Sequence, residues 1–167
     1  MKAALKWSSF IAGIAIISLL LYNYVFFVIA VPSASMYPTI EIGDRIITAR
    51  IHNTESIERK DILVFYSEEF KEVMVKRVIG LPNDIVEINS NGDVFVNDQK
   101  LDEPYVKYPD ERGGKFTVPD GEYFFLGDYR EHSYDSRLWK YPFISEENIM
   151  GKAKLILMPF NRMSVLN

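Results

Sequence analysis

Two patterns of apolar residues divide the chain. From Phe10 to Val31 the sequence FIAGIAIISLLLYNYVFFVIAV runs 22 residues without a charge. At ~1.5 Å per residue a helix of that length spans about 33 Å, close to the hydrocarbon thickness of a bilayer. It is apolar around its whole circumference, unlike a helix laid with one face on a soluble core. The pattern predicts a transmembrane helix over residues 10–31, preceded by a short N-terminal segment, 1–9. The small residues Ser33-Ala34-Ser35 just beyond it leave a cleaved secretory leader as the alternative, although such leaders have shorter apolar stretches of roughly 7–15 residues.

Beyond Pro32 the apolar runs are short: 44–51, 61–66, 72–80, 84–88, 93–97, 123–127 and 152–158. They are rich in Val, Ile, Phe and Tyr and are separated by turn formers such as Pro82-Asn83-Asp84, which predicts a mainly β domain over residues 32–167. Asn91-Gly92 lies between two such runs and reads as a hairpin turn, since both residues tolerate positive φ. Helical periodicity is weak and confined to 145–150. Residues 98–121 are polar and rich in Pro and Gly, which predicts a long surface excursion or flap with solvated charges.

Charge separates the two patterns further. Lys2 and Lys6 are the only charged side chains before Glu41, so the positive-inside rule puts the amino terminus in the cytoplasm and residues 32–167 outside the cell membrane. That outer part carries 17 basic against 23 acidic side chains and has no basic stripe suited to nucleic acid. The chain holds no cysteine and only two histidines, His52 and His132. Disulfides, zinc ribbons and thiol nucleophiles are thereby excluded, and imidazole metal clusters are disfavoured.

Covalent chemistry must then use a hydroxyl or an amine. Pro32-Ser33-Ala34-Ser35-Met36-Tyr37-Pro38-Thr39 holds two serines between two prolines, a backbone with little freedom. A serine needs a base, and His52 has no recognisable partner. A lysine can serve once burial lowers its pKa. Lys76, in Val73-Met74-Val75-Lys76-Arg77-Val78-Ile79, lies in a strand with two apolar faces; the alternative is an edge strand whose cations reach solvent. A third cluster, GDYREHSYDSR from Gly127 to Arg137, is either a solvated loop or one shaped by ion pairs.

Taken together, the N-terminal apolar helix, PSASMYPT, DRIITAR, KRVIGLPND and GDYREHSYDSR resemble, in that order, the bacterial type I signal peptidases. These are membrane-anchored Ser/Lys proteases. The resemblance implies a β-barrel-like or β-sheet catalytic domain outside the membrane, cleavage of signal peptides of exported preproteins after small residues, and no cofactor or metal. Implied partners are those signal peptides, the lipid bilayer and the export machinery. By position it implies Ser35 as nucleophile and Lys76 as general base. Ser133 would orient the lysine, while Asp128, Asp135, Arg137 and Arg77 would hold the site by ion pairs. Ser33 would help bind the oxyanion, and Ala34, Met36 and Tyr37 belong to the region implied to line the substrate pockets. Tyr37, Trp139 and Phe143 would either dip into the membrane interface or pack normally.

Three positions depart from the family pattern. Tyr129 stands where Asn is usual, Asn83 where Gly follows Leu-Pro, and Lys140 where Gly follows the aromatic residue. A non-catalytic binding homologue of the same fold and a soluble self-cleaving repressor-type peptidase are the competing readings. The intact serine and lysine argue against the first, and the apolar helix against the second.

Overall fold

Strand β1, Phe26–Ala30, follows helix α1, Lys2–Tyr24, with only Val25 between them. This computed structural model describes residues 2–166. The side chains of Lys2 and Lys6, on which the expected orientation rests, lie outside the described ones. The apolar 10–31 segment is thus not one helix. Its last third is aromatic and β-branched, and it pairs residue for residue with β2, Arg45–Arg50, from Phe26 opposite Ala49 to Ala30 opposite Arg45. Ladder bonds and the alternating burial of Phe27 and Ile29 compete with helix continuation there. The helical part of that segment, Phe10–Tyr24, is 15 residues, or about 22 Å. Among the described residues no helix is long and apolar enough to cross a membrane.

The remaining strands are β3 (Ile62–Ser67), β4 (Glu72–Gly80), β5 (Ile85–Ile88), β6 (Val94–Val96), β7 (Gln99–Lys100), β8 (Gly114–Thr117), β9 (Glu122–Leu126), β10 (Phe143–Ser145), β11 (Ile149–Met158) and β12 (Ser164–Val165). The larger sheet runs β1-β2-β11-β3-β4-β9-β10 with β12 on β11, and the smaller runs β7-β6-β5-β8. No closed barrel forms: the larger sheet is an open path of antiparallel pairs. Every run expected to be a strand is one. The weak helical periodicity at 145–150 resolves into a single 3-10 turn, Glu146–Asn148, feeding β11.

Alternation along β9 ties the layers together. Tyr123 and Phe125 join a core with Leu63, Phe65, Val78 and Trp139. Phe124 and Leu126 face the other way, joining Ile79 and the small sheet's Val86, Ile88, Val94 and Val96. Trp139 is therefore a core residue rather than an interfacial one. A third cluster packs Val31, Met36 and Ile40 against Ile46, Ile62 and Ile156, pinning the serine segment to the sheet. The hairpin at 89–93 forms as expected, with Gly92 at φ +80° and Gly92 N–H donating to Asn89 O. Asn83 also sits at positive φ, 70°, where Asn is among the few tolerated non-glycine residues.

Candidate active site

Strand β4 is flanked by β3 and β9, with Lys76 opposite Leu63 and Arg77 opposite Leu126. It is not an edge strand. Both cations are 3% exposed, and the strand disposes of their charges differently. Arg77 donates from Nε and Nη2 to the two Asp128 oxygens at 2.8 and 2.7 Å, and its guanidinium carbon lies 3.9 Å from the Tyr105 ring centre. Among the described residues Lys76 has no such ion pair. Its Nζ lies 3.2 Å from Ser133 Oγ. Burial is the largest influence on it and pushes the amine down to about 8; the Arg137 charge acts the same way, while Asp135, Asp128 and Glu72 oppose.

The serine segment leaves the sheet after Val31 and turns through Tyr37 N–H to Ala34 O and Ile40 N–H to Met36 O. Buried Met36 and Ile40, 1% and 0% exposed, anchor this turn. It leaves Ser35 Oγ 3.4 Å from Ser33 Oγ and Ser35 O accepting from Tyr129 N–H at 3.0 Å. Ser33, Ser35, Met36 and Lys76 line one cleft of about 420 Å³, walled by the apolar side chains of β1 and β4 and by Met150. Ser35 and Lys76 share the cleft without a hydrogen bond between them. Ala34 and Tyr37 do not line it; Tyr37 instead stacks on Tyr108, with ring centres 6.2 Å apart, and also meets Tyr129.

The 127–137 loop is shaped by buried ion pairs, with only Glu131, His132 and Tyr134 exposed. Asp128, Asp135 and Ser136 are completely buried. Arg137 Nε donates to Asp135 Oδ1 at 2.8 Å, Ser136 Oγ accepts from Phe125 N–H, and Thr39 Oγ1 donates to Asp128 Oδ2. Sequence reasoning missed Thr39, Gly127, Glu103 and Asp110. Gly127 is required sterically, because a Cβ there would overlap Ser133 Oγ and the Ser35 carbonyl oxygen. Glu103 and Asp110 were expected in a solvated excursion. They instead pair with the buried Arg130 and Arg137, and the excursion supplies β7 and β8. Its acids four and eleven residues beyond Gln99 gave no periodic signal by which to find them.

A hydroxyl and a neutral amine in one apolar cleft can carry out acyl transfer. Among the described residues no cluster of metal-ligating side chains occurs.

Residues 4–158 match the family described as signal peptidase, peptidase S26, and the chain therefore belongs to that family of peptidases. It is 38% identical over 146 residues to signal peptidase I of Leptolyngbya laminosa, covering 81% of this chain and 70% of that protein. It is 33% identical over 179 residues to signal peptidase I S of Bacillus subtilis strain 168, covering 99% and 95%. Among solved structures, a signal peptidase I from Enterococcus faecalis V583 matches with a TM-score of 0.49 at 30% identity, covering 58% of this chain and 96% of that one.

Proposed function

We propose that the chain removes signal peptides from exported preproteins, with Ser35 as nucleophile and Lys76 as general base. The observation that carries this is the buried Lys76 amine, lowered to about 8 and hydrogen-bonded to Ser133, in the same cleft as Ser35. A cleft walled by Phe27, Ile29, Val31, Val73 and Val75 suits an apolar segment ahead of the cut.

Neutral Lys76 takes the Ser35 proton as Oγ attacks the scissile carbonyl, giving a tetrahedral oxyanion. The Ser35 N–H and the Ser33 hydroxyl are its donors. Collapse breaks the C–N bond, and the lysine proton passes to the departing amine. Water then gives a proton to the Lys76 amine and attacks the ester carbonyl; the C–Oγ bond breaks, Lys76 returns that proton to Ser35 Oγ, and the signal peptide's carboxyl group leaves and ionises in solvent. Ser133 keeps the amine aimed along this path, and Asp128, Asp135, Arg77 and Arg137 fix the surrounding loop.

The reading includes attachment to the cell membrane, with the catalytic domain on the outer face where preproteins emerge. Helix α1 leaves Phe10, Ile11, Ile14, Ile17, Leu19 and Leu20 about half or more exposed, an apolar surface of the kind that meets a membrane or a protein partner, and lipid is the occupant this reading assigns. Detergent-solubilised protein is expected to cut a preprotein after a small residue. Ser35→Ala and Lys76→Ala should each abolish the cut; undiminished cleavage by either overturns the assignment. Release of the full chain from membranes by alkaline carbonate would sink the attachment.

A further inference from the structure

Gly127 is held at both ends of its own residue. Its carbonyl accepts from Arg130 Nε at 3.0 Å, and its N–H donates to Asp135 Oδ2 at 3.1 Å. Each of these holders is fixed from the 98–113 stretch. Arg130 Nη1 and Nη2 donate to the two Glu103 oxygens at 3.1 and 2.5 Å. Asp135 is gripped by Arg137 through Nε and Nη2 at 2.8 and 3.0 Å, and Arg137 Nη1 donates to Asp110 Oδ2 at 2.9 Å. A cross-tie from Arg137 Nη2 to Arg130 O at 2.8 Å joins the two halves.

We propose that residues 98–113 form a strap in which Glu103 and Asp110 act as positioning residues, clamping Gly127 and so setting the separation of Ser35, Ser133 and Lys76. The proposal rests on the reading that Ser35 and Lys76 carry the reaction.

The physical chain is continuous. A guanidinium is a planar fork, so Glu103 bound across the two terminal nitrogens of Arg130 fixes the direction of its Nε–H, and Asp110 on Nη1 of Arg137 fixes the plane in which Nε and Nη2 grip Asp135. Arg130 and Arg137 have side chains 3% and 1% exposed, so water cannot readily substitute for either acid. Gly127 touches both Ser133 and the Ser35 carbonyl with no room for a methyl group, so a shift of its peptide moves both serines. Ser133 in turn holds Lys76. Tyr105 adds a third point of attachment: its hydroxyl donates to Glu103 at 2.8 Å while its ring covers Arg77. A misplacement of about 1 Å at a reacting group is enough for a loss on the order of 100-fold in rate.

The test uses full-length protein in detergent, comparing Glu103→Gln, Glu103→Asp and Asp110→Asn with wild type. Glu87→Gln, which removes only the exposed partner of Lys115 on the small sheet, serves as the control. Wild type and the control should cleave a preprotein equally. Glu103→Gln and Asp110→Asn should lower kcat at least about tenfold with KM within about twofold, and Glu103→Asp should recover part of the loss. Glycine-selective labelling gives a second readout, since the chain has nine glycines. The Gly127 amide should shift, and its hydrogen exchange should quicken at least about tenfold in the Gln and Asn variants. Folded variants with unchanged kcat and an unchanged Gly127 amide would overturn the strap. Loss of the melting transition in all three would also overturn it, making 98–113 a stability element instead. Failure of wild type to cleave would strike at the functional reading, whereas the Gly127 amide reports on the clamp without it.

Discussion

Lys76 Nζ and Ser133 Oγ stand 3.2 Å apart although 57 residues separate them in sequence. Both are almost fully buried, and the space behind Ser133 is closed by Gly127. Among the described residues Ser133 is the one hydrogen-bond partner that orients the lysine, and little water reaches the amine to solvate its charge. Orientation and neutrality have separate causes, which can be separated by experiment.

Neutrality governs the pH profile. A base works only when unprotonated, and the Lys76 amine lies at about 8 instead of 10.5. Under conditions where chemistry limits the rate, kcat/KM should rise about tenfold per pH unit below about pH 7 and level off above about pH 8. A rate that stays flat from about pH 6 to about pH 10 would remove Lys76 from this role.

The same shift has a stability consequence. Below about 8 both folded and unfolded states carry the lysine charge, and the folded state bears the full desolvation penalty. That penalty shrinks as pH rises from about 8 toward 10.5 and is absent above it. It amounts to as much as about 3 kcal/mol at neutral pH. Lys76→Met should thus be inactive yet melt several degrees higher than wild type near pH 7, with the advantage fading at alkaline pH.

Orientation is tested at Ser133. In Ser133→Ala the lysine stays buried but loses its hydrogen-bond partner. The kcat for preprotein cleavage should fall roughly 100-fold, in the range of a general-base contribution, with KM nearly unchanged. An equal loss carried wholly by KM would instead place Ser133 in substrate binding.

Gly127→Ala puts a methyl group against Ser133 Oγ and the Ser35 carbonyl. Overpacking of this kind destabilises by about 1–3 kcal/mol, and the activity loss should exceed what that implies, since the displaced atoms belong to the nucleophile's own residue and to the serine that orients Lys76. Urea unfolding and single-turnover cleavage measured on the same preparation separate the two effects.

Asp128→Asn leaves Arg77 buried beside a neutral amide. Breaking a buried pair on one side costs about 3–5 kcal/mol, whereas replacing both partners by apolar residues of similar size is much less harmful. Denaturant unfolding should accordingly show Asp128→Asn less stable than the double replacement Arg77→Met with Asp128→Leu.

The strands of the domain were legible because alternation and turn residues report directly on a half-buried ladder. Lys76 was legible for the same reason, as a cation among Met74, Val75 and Val78. The end of helix α1 was not. Phe26–Ala30 is as apolar as the helix before it, and its aromatic and β-branched side chains only lean toward a strand until the five-residue pairing with β2 decides it. The strap was hidden for a different reason: Glu103 and Asp110 look like any surface acids until the fold places Arg130 and Arg137 over them. Contacts between distant charged residues leave no periodic trace in a chain.

The single residue between α1 and β1 has a mechanical consequence. Phe27, Ile29 and Ala30, which wall the cleft, are reached from the helix without a hinge or tether. Val25 itself is tied to both, its N–H donating to Leu21 O in the helix and its carbonyl accepting from Arg50 N–H of β2, so tilting or lifting the helix should carry the cleft wall with it. If α1 is attached to the membrane as proposed, a substrate held by the same lipid would be met at one fixed height, and lengthening the Tyr24 to Phe26 junction by a few flexible residues would uncouple reach from anchorage.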